Sequence, residues 1–264
     1  MKKQGWAPYP RYIFRKEIAL SLITKNVPRG SEFLEIGCAA GDFGITLSKK
    51  GYTGTMIDFS DKASDEVAKN IKKEKAENIR FENKDFFDID TDGRFDLITM
   101  FEVLEHIEKD EKALKKINEL LRPGGTFLCS VPAKKKLWGA SDIIAGHIKR
   151  YDKEELVYLM NQSGFEIAAL FSYGFPWLNI IKYVRDKMAC KALKKDGVNN
   201  RDSLTKKSGL NPTAIKVPSL EIFFNKYLLF FPIKISNLFN NMDLAEGYLC
   251  LAKKNDRRAT TKKF

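Results

Sequence analysis

Apolar positions along this chain switch between two periods. Ile13, Phe14, Ile18 and Leu22 recur at helical spacing and predict a leading helix over residues 11–24. Short apolar runs then alternate with helical patterns. Strands are predicted at 32–37, 53–58, 79–83, 95–100 and 126–131, with helices at 42–50, 61–75 and 108–121. Pro123-Gly124-Gly125 breaks the last of these helices before the fifth strand. A helix at 152–162 opens on Asp152 with Glu155 three positions later, the two halves of a capping box, and stops at Ser163-Gly164. A strand at 165–172 follows, and Tyr248 to Ala252 supplies a last one. Strands separated by helices predict an α/β fold, a mostly parallel sheet with helices on both faces.

This pattern divides the chain into a leading helical cap (1–30), a core (31–173), a helical insertion (174–245), the final core strand (246–252) and a basic, disordered tail (253–264). The insertion, roughly seventy residues long, exceeds ordinary loop lengths. Its middle, 196–212, is polar, whereas 175–181 and 220–239 are rich in aromatics. Those flanks suit a cap packed on the sheet or a surface that meets a lipid-like substrate or membrane interface. At 264 residues the chain can bury a full core. A net charge of +12 favours acidic partners or an anionic surface. Cys38, Cys129, Cys190 and Cys250 show no paired spacing and read as small apolar residues in a reducing compartment. No stretch reaches the ~20 apolar residues of a membrane-spanning helix. The expectation is a soluble, cytoplasmic protein, with peripheral membrane contact as the variant that the aromatic insertion suggests.

Candidate chemistry begins at Phe33-Leu-Glu-Ile-Gly-Cys-Ala-Ala-Gly-Asp-Phe-Gly44, followed by Met56-Ile57-Asp58 at the end of the next apolar run. A strand, a small-residue turn, a helix and a second strand ending in aspartate outline a nucleotide-like cofactor site. A dinucleotide fingerprint requires G-x-G-x-x-G, but Ala39 and Asp42 stand where the second and third glycines belong. That spacing disfavours an NAD-dependent dehydrogenase. Glu35-x-Gly37-x-x-x-Gly41-x-x-Gly44 instead resembles motif I of the class I S-adenosylmethionine (SAM) methyltransferases, the type 11 and type 23 group. Three later stretches match in order: Arg80 to Phe86, Phe95 to His106, and Leu121 to Gly125. The resemblance implies a Rossmann-like, doubly wound, seven-stranded sheet whose last strand is antiparallel, with the insertion just before it. It implies SAM as cofactor, with contacts from Glu35, Gly37, Cys38, Ala39, Gly41, Asp58, Phe59, Asp85, Phe86 and Phe101. Within that set Gly37 and Gly41 admit the methionine part, and Asp58 takes the ribose hydroxyls. Asp85 accepts from the adenine amino group, and Phe86 flanks the ring.

The chain has two histidines. His106 ends Glu102-x-x-Glu105-His106, and His147 precedes Lys149-Arg150-Tyr151. If the first stretch is helical, Glu102, Glu105 and His106 share a face. With His147 they form a plausible ligand set for Mg²⁺, Mn²⁺ or Zn²⁺. The pattern resembles metal-assisted O-methyltransferases, among them the quinol O-methyltransferases of ubiquinone biosynthesis and the small-RNA 2′-O-methyltransferases. Without a metal, His147 or His106 becomes the catalytic base. Lys134, Lys135, Lys136, Lys149 and Arg150 suggest a positive rim for an acidic acceptor. The leading expectation is O-methylation of a small-molecule, lipid-linked or saccharide acceptor. The alternatives are an RNA methyltransferase, for which no aromatic-basic RNA motif speaks, and a non-catalytic SAM-binding scaffold.

Overall fold

The computed structural model describes residues 10–90, 93–196 and 230–255. The polar stretch 197–212, the aromatic segment 220–229 and the tail from 256 onward lie outside the described residues. Seven strands form one sheet: β1 (Glu32–Ile36), β2 (Thr53–Asp58), β3 (Ile79–Asn83), β4 (Phe95–Phe101), β5 (Leu121–Pro132), β6 (Phe165–Tyr173) and β7 (Gly247–Lys254). Their order is β3-β2-β1-β4-β5-β7-β6. β7 runs antiparallel to both β5 and β6, while the other pairings are parallel. This is the Rossmann-like seven-stranded sheet that the strand pattern and the resemblance imply.

Period-two alternation builds two cores, one on each face. Leu34, Ile36, Ile98 and Met100 face α4 (Asp110–Leu120) and α6 (Lys153–Gln162). Phe33, Leu97 and Phe101 lie on the other face, in one cluster with residues of α1 (Pro10–Asn26), α2 (Asp42–Lys49), α3 (Asp61–Glu74) and α7 (Trp177–Asp196). Each fully buried Leu, Ile or Phe stabilises the fold by roughly 1.5–3 kcal/mol. Two short helices complete the α-helices of the described residues: α5 (Ala140–Ala145) and α8 (Phe230–Asn237). No described helix is long and apolar enough to cross a membrane.

Two local departures from the sequence pattern have clear causes. β5 starts at Leu121 rather than at 126: Leu121 pairs with Phe95, Thr126 pairs with Leu97, and the Pro-Gly-Gly segment bulges between them. Proline has no N–H to give the ladder, and Gly124 takes φ +68°, so the chain leaves and rejoins the strand. The stretch 102–106 is not α-helical. Glu102 sits at φ +56°, and only Leu104–His106 closes a 3-10 turn. The strand order reverses between β1 and β4, so the loops after these two strands meet at a topological switch point, where open α/β sheets place their ligands.

Candidate active site

The loops that the resemblance assigns to the cofactor are tied together by backbone hydrogen bonds and by two carboxylates that accept from backbone N–H groups. Gly37 and Cys38 donate their N–H groups to the Ile57 carbonyl at 2.9 and 3.1 Å, tying the loop after β1 to β2. Gly37 (φ +72°) and Gly41 (φ +76°) occupy the left-handed region that favours glycine. A Cβ on Gly37 would lie 2.4 Å from Val103 Cγ2, so this glycine also lets the β1 and β4 loops touch. Asp58 bridges the loops after β1 and β2. Its carboxylate accepts from Ala39 N–H at 3.0 Å and Ser60 N–H at 2.9 Å. Burial raises its pKa, against those two hydrogen bonds, which favour the ionised form. Glu35 is buried and accepts from Gly44 N–H at 2.8 Å. Burial pushes it up to about 8. Helix α1 closes over this end: Tyr12 and Lys16 both donate to Asp42, the first residue of α2.

The remaining cofactor candidates are placed differently. Phe59 follows Asp58 and is 51% exposed. Asp85 is exposed, and its Oδ1 accepts from Phe87 N–H at 3.0 Å, capping the 3-10 turn Phe86–Asp88. Phe86 is buried in the core beside Phe87, with ring centroids 4.2 Å apart. Cys38 is buried, and Phe101 packs edge-on against Phe43 at 4.8 Å. Of the other thiols Cys129 and Cys250 are buried and Cys190 is exposed.

The cluster formed by the segments after β4 and after α5 is built from charged and polar side chains. Glu105, His106 and His147 offer ligand atoms that all lie within 4.8 Å of one another. His147 Nε2 stands 3.7 Å from Glu105 Oε1, and the two imidazoles meet edge to face at 5.0 Å. His106 Nδ1 donates to the Gly146 carbonyl at 3.1 Å. His147 Nδ1 lies 3.0 Å from Asp142 Oδ1. Both Nδ1 atoms are therefore engaged, and Nε2 is the free nitrogen of each ring. Glu105 is wholly buried, and neither of its carboxylate oxygens has a hydrogen-bond partner. Burial and then the nearby Glu102 raise its pKa well above the carboxylate range. Burial and then His147 lower His106 to about 4. A buried carboxylate without a partner is costly unless a proton or a cation satisfies it.

Glu102 does not join this group. Because it leaves β4 in the left-handed region rather than in a helix, its carboxylate meets α1 instead. Arg11 Nη2 lies 2.9 Å and Arg15 Nη1 3.6 Å away, and Ser130 Oγ donates at 2.7 Å. Burial alone would raise its pKa, but the two guanidinium groups outweigh it and hold the carboxyl below its ordinary value. The positive rim is also largely neutralised. Lys134 pairs with Asp243, Lys135 with Glu155 and Lys149 with Asp110, while Arg150 is buried against Asp142 and Glu246. Residues that sequence reading missed are Arg11, Arg15, Asp142, Lys182 and Glu246. Arg11 reaches Glu246 across 235 positions and Lys182 reaches Asp142 across 40, so no local spacing marks those pairs, whereas Asp142 has His147 five positions on.

A family model described as a methyltransferase domain matches residues 9–170, more than half of the chain. A ubiquinone biosynthesis O-methyltransferase of Coxiella burnetii is 34% identical over 103 residues, covering 39% of this chain and 44% of that protein. The chain thus spans under half the length of that relative. A demethylmenaquinone methyltransferase of Staphylococcus saprophyticus is 30% identical over 178 residues, 56% of this chain and 76% of that protein. Among solved structures, the [4+2]-cyclase SpnF aligns with a TM-score of 0.62 at 16% identity, over 96% of this chain and 85% of that one. Coclaurine N-methyltransferase, bound to N-methylheliamine and S-adenosylhomocysteine, aligns with a TM-score of 0.57 at 15% identity, over 90% and 72%. These structural likenesses concern the fold, which here spans a cyclase and an N-methyltransferase, and the chemistry must come from the site. With the family model, the relatives and the sheet order in agreement, the chain belongs to the methyltransferase-domain family.

Proposed function

We propose that this protein transfers the methyl group of SAM to an oxygen of a small-molecule acceptor, activated by Glu105, His106 and His147. The observation that carries this reading is the convergence of a buried, unpartnered carboxylate and two imidazole Nε2 atoms beside the β1–β4 switch point. A hydroxyl attacks a sulfonium methyl poorly until it loses its proton, and SAM already carries the leaving group. The protein's task is thus to position the oxygen and accept that proton. The relative named for O-methylation in ubiquinone biosynthesis supports oxygen as the methyl acceptor.

The three residues fit a divalent cation. Both Nδ1 atoms are tied to oxygen acceptors, the arrangement that orients metal-ligating histidines, and a cation would satisfy the Glu105 oxygens. Such an ion would lower the pKa of a hydroxyl bound to it. Glu105, His106 and His147 would hold it; Glu102, paired with Arg11, would not. In the metal-free version of this reading His147 Nε2, largely buried beside Glu105, takes the proton itself. A lipid-linked acceptor draws support from α7, whose exposed Trp177, Ile180, Tyr183 and Val184 give its outer side an apolar surface.

The test is incubation with methyl-labelled SAM and an extract of the source cells, with and without a chelator. Label is then counted in lipid, RNA and water-soluble fractions. The expected result is chelator-sensitive label in a lipid or small-molecule fraction. Label that survives chelation selects His147 as sole base. Label in RNA replaces the acceptor class, and no label in any fraction favours the scaffold.

A further inference from the structure

The geometry points to Asp142 as the positioning residue of His147, fixing the imidazole as its Nδ1–H tautomer so that Nε2 faces Glu105 and His106 with its lone pair free. This rests on the reading that His147 acts on the acceptor, but it makes a claim about the ring that stands apart from turnover. Asp142 is fully buried. Its Oδ1 lies 3.0 Å from His147 Nδ1 and accepts from Arg150 Nε at 2.9 Å. Its Oδ2 accepts from Lys182 Nζ at 3.1 Å and from Gly139 N–H at 2.9 Å. Three donors converge on this carboxylate beside the ring nitrogen, two of them from permanent or near-permanent cations, and an ionised carboxylate offers acceptors alone. The nitrogen of His147 that meets it must therefore carry the proton.

The backbone holds the same arrangement. His147 N–H donates to the Asp142 carbonyl at 3.0 Å, and Ile148 N–H donates to the Glu105 carbonyl at 3.0 Å. These bonds set the spacing between the ring and Glu105 before any acceptor arrives. Burying Asp142 with Arg150 and Lys182 costs desolvation that an apolar cluster of the same volume would avoid. Lys182 belongs to α7, so the insertion contributes the counter-charge that keeps this carboxylate ionised. It also carries Asp186, which accepts from Lys182 Nζ at 2.9 Å and from Ser141 N–H at 3.0 Å, bracing α7 against α5.

The chain's two histidines make the test direct. Ring ¹⁵N spectra of the full, metal-free chain are recorded at a pH above the ordinary histidine range, and His147 is identified by its absence in His147→Gln. The expected wild-type signature is a protonated Nδ1 and an unprotonated Nε2. In Asp142→Asn, which presents an amide donor to the ring, His147 is expected to pass wholly or partly to the Nε2–H tautomer. Binding of S-adenosylhomocysteine by the variant reports that it is folded, since the cofactor loops do not touch Asp142. An unchanged His147 tautomer in folded Asp142→Asn overturns the assignment. Should that variant not fold, the wild-type spectrum decides alone: an Nε2–H ring, or a rapidly exchanging mixture, overturns it. Neither result depends on finding the acceptor, so failure here is distinct from failure of the methyl-transfer reading.

Discussion

The two halves of the site differ in how they are made. The proposed cofactor half draws on residues 35 to 60, and its contacts are hydrogen bonds from backbone N–H groups and close approaches permitted by glycine. The proposed acceptor half gathers Arg11, Glu102, Glu105, Asp142, His147, Arg150, Lys182 and Glu246 from α1, α5, α7 and three connecting segments, and buried charges hold it together. Steric exclusion guards the first half, since almost any side chain at Gly37 collides. Electrostatic satisfaction guards the second, since removing one charge strands another. Single substitutions should therefore fail in different ways on the two sides.

The largest effect is expected from Gly37→Val. A β-branched residue at φ +72° is strained, and its Cβ would stand 2.4 Å from Val103 Cγ2. Strain and overpacking each cost ~1–3 kcal/mol, so the loop should rearrange and calorimetric S-adenosylhomocysteine binding should vanish. Retained affinity would mean that the cofactor half is not set by backbone sterics. Next is Glu105→Gln, which keeps the shape and replaces a buried carboxyl, held protonated by burial and the nearby Glu102, with an amide that can neither release a proton nor bind a cation as a carboxylate does. Cofactor affinity should hold, and thermal stability should stay within ~1 kcal/mol of wild type or rise. Methyl transfer should drop by roughly a hundredfold or more, as expected when a proton-handling or ligand group is lost. Lost cofactor binding in this variant would erase the division between the halves.

What the sequence reveals follows the same division. The elements of the sheet and, apart from the start of β5, their approximate boundaries are legible because period-two and helical patterns, capped by Asp152–Glu155 and by Ser163-Gly164, are local. The glycine loop is legible for the same reason. Glu102 misleads because E-x-x-E-H reads as one helical face, and nothing nearby in sequence announces that Arg11 and Arg15 will draw it away. Arg150 misleads likewise. Beside Lys149 it resembles a surface cation, yet its partners are Asp142 eight residues back and Glu246 ninety-six residues on. Asp142 sits in an unremarkable apolar-polar stretch, and only the packing of α5 against α7 gives it a role.

A pH series sharpens the comparison from the cofactor side. Glu35 titrates at about 8 in the folded chain, against an ordinary glutamate value of 4.5, because burial penalises its charge. Between these values the folded state holds the extra proton, so the stability of the cofactor-free protein should fall as pH rises from the ordinary glutamate range toward 8. The contribution is on the order of a few kcal/mol. Glu35→Gln should flatten that part of the profile in denaturant melts. A profile equally steep in both proteins would transfer the titration to another group.

Phe59→Ala carries the smallest effect on the fold and asks the finest question. The ring is 51% exposed in the free protein, so truncation should leave the melting temperature nearly unchanged, within ~0.5 kcal/mol. An aromatic placed directly after the Asp58 carboxylate is suited to stack on the adenine, and base–aromatic stacking is worth ~1–3 kcal/mol. S-adenosylhomocysteine affinity should then weaken at least fivefold while stability holds. In that case the cofactor half adds an aromatic contact to that of the Asp58 carboxylate, and the aromatic contact exists only when the cofactor is bound. If affinity and stability are both untouched, Phe59 is ordinary exposed surface. Recognition of the cofactor would then rest on Asp58 and the loop between Gly37 and Gly41.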